Sequence, residues 1–196
     1  IGVLALLDLH TGTGLICISQ HPVIHYNGAW GLCLLGMGLL AFASYRFRLS
    51  FVLGVLSHAF GFLVVAQNFL SVNLGVEYLV TDLFTFDLYP AKLSPNTGLC
   101  FLMAGTALIF ASRMFKGTAF FVVFLGLLVI AIGSNALLGY LADFPFGYQW
   151  DSYPPMSTQS ALAFTVIGVG IVLLSSHMVP SVTKFGLWWI PVEVGT

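Results

Sequence analysis

Leu93-Ser94-Pro95-Asn96-Thr97-Gly98-Leu99-Cys100-Phe101-Leu102-Met103-Ala104-Gly105 begins as a polar helix start and passes directly into an apolar run long enough to enter a bilayer. Ser94 has the chemistry of an N-cap, and Pro95 suits the first helical position, where no N–H is needed. The design recurs twice. Asn27-Gly28-Ala29-Trp30-Gly31 leads to Gly36, and Gln159-Ser160-Ala161-Leu162-Ala163 leads to Gly168. In each copy an amide side chain precedes a glycine by nine positions. Small residues stand two and nine positions after the amide (Ala29 and Gly36, Gly98 and Gly105, Ala161 and Gly168). A second set stands four and eleven after it (Gly31 and Gly38, Cys100 and Ala107, Ala163 and Gly170). Seven residues are two helical turns, so each copy carries a stripe of small residues of the kind that lets helices approach closely in lipid. The copies start 69 and 63 residues apart, at 27, 96 and 159, and read as a threefold repeat.

Of the 196 residues, 59% are hydrophobic and 7% charged, with a mean hydropathy of +1.00. A water-soluble domain carries about 25% charged residues, so this composition belongs in a membrane. Six apolar segments have spanning length: roughly 1–19, 27–45, 50–70, 96–112, 118–141 and 158–176. The first lacks a charged n-region and a small-residue cleavage site, and so reads as a span and not as a signal peptide. The expected fold is all-α and integral to the membrane. Six transmembrane helices form three hairpins in pseudo-threefold array (repeats about 1–48, 49–116 and 117–180) within a single domain, 1–196. Residues 181–196, with Lys184-Phe185-Gly186-Leu187-Trp188-Trp189-Ile190-Pro191, read as the start of a further segment cut short.

Charge is distributed by side. Arg46, Arg48, Arg113, Lys116 and Lys184 follow the even spans. Glu77, Asp82, Asp87, Asp143 and Asp151 fall in the opposite loops, with Lys92 the one base among them. The positive-inside rule puts both ends of the chain in the cytoplasm, in a multi-pass protein of the bacterial inner membrane. No basic patch suits nucleic acid. Cys17, Cys33 and Cys100 lie within spans and form no CxxC or Cys/His cluster, which excludes a disulfide framework and a zinc motif. No nucleophile elbow, phosphate loop, HExxH or paired catalytic carboxylates occur, and the lysines lie outside the spans. This stretch of chain is not expected to be an enzyme or to hold a cofactor.

Three sets of polar residues stand out. Asn27, Asn96 and Gln159 occupy matching ends of the even helices, where they either cap those helices or line a shared polar vestibule. Asp8, His10, Gln67, Asn68 and Asn135 lie in odd spans. Interhelical hydrogen bonds are their default role, with Asp8 protonated or bonded to His10. His10 and His58, read as lying at similar depth, are weak candidates for axial haem ligands. His21 and His25 share a four-residue spacing interrupted by Pro22. The outer half therefore collects Asn27, Gln67, Asn68, Asn96, Asn135, Tyr140 and Gln159, under an aromatic loop with Tyr148 and Trp150. An apolar pocket with a few convergent amides suits a small amphipathic or lipid-like ligand such as a quinone.

From Ser94 to Leu102 the sequence resembles the Ser/Ala-Pro-Asn-Thr-Ala-Leu-Cys-Phe-Leu motif of a multi-helix membrane region. That region, of the MASE-like kind, stands ahead of PAS, GGDEF, EAL or histidine-kinase modules in bacterial signalling proteins. Gly98 replaces the motif's alanine. Asn73-Leu74-Gly75-Val76-Glu77-Tyr78-Leu79 is similar to the acidic stretch upstream of it. Gly139, Tyr140, Trp150, Met156, Ser160, Ala161, Leu162 and Phe164 echo a later pattern. Family members carry His-Thr before that Ala, where this chain has Gln159-Ser160. The likeness covers residues 55–175 and implies a sensory input domain. The expected partners are the lipid bilayer and a second copy, met through the helices or a cytoplasmic module. The alternatives are a transporter or channel, suggested by parallel repeats and Asp8, and a haem- or quinone-binding redox subunit.

Overall fold

The structure is a computed structural model that describes residues 2–11, 26–76, 92–113, 117–150 and 152–175. Every regular element among the described residues is helical: α1 (Gly2–Thr11), α2 (Tyr26–Ala43), α3 (Phe47–Phe69), α4 (Pro95–Arg113), α5 (Thr118–Leu141), a 3₁₀ turn (Pro145–Gly147) and α6 (Thr158–Ser175). Helices α2 to α6 are each long and apolar enough to cross a membrane. That makes five candidate spans where the sequence suggests six. Only ten residues of the first segment are described as helix, about 15 Å of rise, which is half a bilayer core.

Helix ends follow the local chemistry. α2 stops because Tyr45 turns left-handed (φ 57°), which lets the Arg46 N–H reach back to Ala41 O at 2.8 Å. α3 then starts at once. Ser71 (φ 53°) and Asp143 (φ 49°) end α3 and α5 with the same backbone state. After Asp143 the Phe144 N–H closes on Gly139 O at 2.8 Å.

These helices are apolar all round, so size and not polarity selects the packed faces. α3 lies along α4, and α5 along α6. In the first seam a Cβ on Gly61 would come 2.6 Å from Gly98 O and closer still to Leu102 N. Seven residues on, one on Gly105 would come 2.7 Å from Gly54 O and 2.5 Å from His58 N. In the second seam a Cβ on Gly133 would lie 2.8 Å from Ala161 O and 2.9 Å from Thr165 N, and one on Gly168 would lie 2.8 Å from Gly126 O. α1 meets α2 in the same manner, a Cβ on Gly2 lying 3.0 Å from Ala29 O and 3.1 Å from Cys33 N.

Helices α2, α4 and α6 also contact one another. Half or more of each is buried (56%, 61% and 50%), against 33% for both α3 and α5, so the even helices form the interior. Phe101, fully buried on α4, fixes their centre. Its ring meets Phe164 of α6 edge-on at 4.9 Å and Phe60 of α3 at 5.1 Å. A Cβ on Gly31 of α2 would stand 2.6 Å from the same ring. Toward the end of the bundle that carries Arg46 and Arg113 lies a cavity of about 10 Å³, bounded by Leu39, Phe42, Leu108, Ala111, Ile171 and Leu174. Among the described residues Ser175 is the one polar residue in its lining, which is otherwise aliphatic and aromatic. At the same end the Arg113 guanidinium sits 4.3 Å over the Phe51 ring.

Candidate functional site

The opposite end gathers the polar side chains, and it is built on two matching helix starts. Ser94 Oγ accepts the Thr97 N–H at 3.1 Å and pairs with Thr97 Oγ1 at 2.8 Å. Ser157 Oγ accepts the Ser160 N–H at 3.2 Å and donates to Ser160 Oγ at 2.8 Å. Ser94 is the cap that the sequence suggests. Ser157 is a second cap with a signal of its own, since its Ser-x-Gln-Ser spacing copies Ser94-x-Asn-Thr. The carbonyl just before each cap is held by the preceding helix. Asn68 Nδ2 donates to Leu93 O at 3.0 Å, and also to Val64 O at 2.8 Å. Tyr140 Oη donates to Met156 O at 2.5 Å.

Asn27, Asn96 and Gln159 all sit in the first turns of α2, α4 and α6, and all are buried. Asn27 Nδ2 donates to Val76 O at 2.8 Å, which ties the start of α2 to the chain leaving α3. Asn96 Oδ1 has no hydrogen-bond partner among the described residues. Gln67 on α3 is 2% exposed, and among the described residues neither its amide oxygen nor its nitrogen has a hydrogen-bond partner. Five residues below Asn96 and Gln159, the Phe101 and Phe164 rings floor this end of the interior. Asn135 is exposed instead of lining the interior, and its Nδ2 donates to Gly147 O at 3.1 Å. Tyr140 stacks on Tyr148 at 3.8 Å and 6°. The turn around Gly147 presses on Gly139, where a Cβ would meet Gly147 Cα at 2.9 Å. Tyr148 is thus part of the cover over α5, whereas Trp150 is 39% exposed.

The side chains of Asp8 and His10 lie outside the described residues, as do Cys17, His21 and His25. His10 is eight residues beyond Gly2, and His58 is three residues short of Gly61. Gly2 and Gly61 make like contacts on α2 and α4. If the two hairpins are equivalent, 1.5 Å per residue puts the two histidine positions ~16 Å apart along the helices. His58 Nδ1 lies 2.9 Å from Thr106 Oγ1, which itself donates to Leu102 O at 2.7 Å. That hydroxyl has one proton and has given it away, so His58 Nδ1 is the donor and carries hydrogen. Cys100 is fully buried packing, and Cys33 packs under Gly2. Among the described residues no three His, Cys, Asp or Glu side chains come together as a metal site. Among the described residues the buried amides gather at this end, whereas the lower halves of α2, α4 and α6 are mostly apolar, with Thr106, Ser112 and Ser175 as their uncharged polar side chains. Comparison with protein-family models, curated proteins and solved structures finds no match to this chain.

Proposed function

We propose that this chain is the membrane-embedded input domain of a bacterial signalling protein, built as three helical hairpins around an axis along the membrane normal. In this reading α1–α2, α3–α4 and α5–α6 are the repeats, both ends of the chain are cytoplasmic, and the amide end faces outward. Its support is the like contact made by Gly2, Gly61 and Gly133, each set against the carbonyl two residues after an amide and the N–H four residues further on. The cavity walls agree, since Leu39, Leu108 and Ile171 each stand twelve residues after their amide. The resemblance at Ser94–Leu102 supplies the signalling role.

The amide end binds a small amphipathic molecule of the quinone type. The observation that carries this is Gln67. Burying an unpaired amide costs about 1–3 kcal/mol, and a quinone carbonyl accepting from Gln67 Nε2 would recover the share that belongs to the donor. Asn96, whose Oδ1 has no hydrogen-bond partner among the described residues, is the second contact and would accept from the hydroxyl of the reduced, quinol form. Binding would shift hairpins as units, because glycine seams leave no slack within a pair.

The test is titration of purified protein with a short-chain ubiquinone, followed by tryptophan fluorescence and by thermal unfolding. Gln67→Leu is expected to raise the melting temperature of the free protein, since it removes unpaired polar atoms. It should weaken quinone binding at least about tenfold, the value of one good hydrogen bond. Unchanged affinity in both Gln67→Leu and Asn96→Leu would overturn the ligand assignment and leave these amides as helix-end residues.

A further inference from the structure

The basic end of the bundle carries charge without a counter-charge. Arg46, Arg48 and Arg113 are exposed there. Asp143 is the one acid whose side chain is described, and it follows α5 at the amide end. Among the described residues the three guanidiniums therefore have no carboxylate near them.

Two of the three share one face. The Arg113 guanidinium, from the last turn of α4, sits 4.3 Å over the Phe51 ring of α3. Arg48 stands three residues before Phe51 and so projects over the same face of α3. Arg46 precedes the helix, five residues before Phe51, and does not share that face. Like charges on one face repel unless an anion lies with them. A guanidinium carried on an aromatic ring keeps its N–H fork free, and that fork fits two oxygens of a phosphate.

Below the pair runs a mostly apolar groove. On α3, Phe51, Val55, His58 and Phe62 follow one another at helical spacing, and on α4 Arg113, Ile109 and Thr106 do the same. His58 Nδ1 and Thr106 Oγ1, 2.9 Å apart, join the two rows. Both residues are half-buried, whereas the glycines of the same seam are buried, so the rows form its outer rim. Val55 and Phe62 are 40% and 57% exposed along it. Fixed cations above a hydrocarbon-lined groove match a molecule with a phosphate at one end and an acyl chain at the other. A free phosphate ion would leave the groove unused.

We propose that this rim of the α3–α4 seam binds an anionic phospholipid, its phosphate held by Arg113 and Arg48 and an acyl chain laid along Val55 and Phe62. Basic residues collect at one face of membrane chains and set orientation wherever on that face they stand. The Phe51 shelf and the groove beneath it give these two arginines a role tied to their place. The proposal needs the membrane character of the helices, and neither the hairpin reading nor the quinone assignment.

The experiment titrates the full chain, purified in an uncharged detergent, with dioleoylphosphatidylglycerol and reads bound lipid by native mass spectrometry. Dioleoylphosphatidylcholine supplies the same chains with a zwitterionic head, and glycerol 3-phosphate supplies the phosphate without chains. Phosphatidylglycerol should bind at least about tenfold more tightly than either. Each arginine is exposed, so its replacement spares the fold. Arg48→Gln and Arg113→Gln should each weaken phosphatidylglycerol about tenfold, the value of one charge-assisted hydrogen bond. Phe51→Leu, which removes the shelf and keeps the groove apolar, should weaken it about threefold. Arg46→Gln removes the same charge from outside the face and should change affinity less than about twofold.

Equal losses from all three arginine variants would overturn the site and leave only the general attraction of a basic face. Glycerol 3-phosphate binding as tightly as the lipid would overturn the lipid assignment in favour of a free phosphate. Phosphatidylcholine binding as tightly would overturn the role of the arginines.

Discussion

A Cβ added at Gly105 would sit 2.5 Å from the backbone nitrogen of His58, and backbone cannot move aside as a side chain can. Gly105→Ala should therefore force α3 and α4 apart and cost about 3 kcal/mol, at the upper end of overpacking effects. Chemical or thermal unfolding in detergent measures this. Gly98→Ala should cost less, because its closest neighbours are Val64 methyl and Cβ atoms at 2.8 and 3.0 Å. Much at this scale is legible in the sequence. The repeated amide-and-glycine spacing by itself marks Gly98, Gly105, Ala161 and Gly168 as contact positions. The partners are another matter. Gly54, Gly61, Gly126 and Gly133 also stand seven apart in pairs, but nothing in an apolar helix says which glycine meets which. Asn135 shows the converse. Its place in a span suggests an inward amide, yet the neighbouring turn offers Gly147 O to it and leaves it outside.

Helix ends are readable where a residue type forces them and blurred where the backbone alone decides. The serine cap at 94 is plain from Ser-Pro-Asn-Thr, whereas α3 starts at Phe47, three residues before the apolar segment suggests, because α2 closes early on its left-handed Tyr45. Two expected outcomes belong to these ends. Ser71 holds a left-handed backbone and is exposed. Ser71→Gly should stabilise the protein by about 1 kcal/mol by relieving that conformation. Ser157→Ala should destabilise it by about 1 kcal/mol through loss of the cap to Ser160. Both are read as opposite shifts of the melting midpoint in one detergent. The paired result tests whether the ends of α3 and α6 are set by local geometry, independent of any ligand.

At the scale of the molecule, the order of packing follows from aromatic rings and not from the hydrophobic pattern. Phe101 joins α2, α3, α4 and α6 through one side chain, and no periodicity in the sequence distinguishes it from the many other phenylalanines. Phe101→Ala should leave the helix content intact and lower the melting midpoint on the order of 10 °C, the effect of about 3–5 kcal/mol in a chain of this size. Far-ultraviolet circular dichroism during heating reports both. The membrane class, by contrast, is available from composition, which leaves helices or a closed barrel, and continuous apolar runs of about 20 residues select helices.

The same ring has an electrical meaning. Between α2, α4 and α6 the interior is filled by Phe101 and Phe164 and then, past them, by leucine, isoleucine and alanine around a void of about 10 Å³. An ion taken past these described side chains would lose its hydration shell against an apolar lining, at an idealised cost of order 20 kcal/mol. In this conformation the centre of the bundle behaves as a solid dielectric. If the chain carries a message between the two faces of the membrane, as proposed above, this packed centre favours displacement of helices over current as its form.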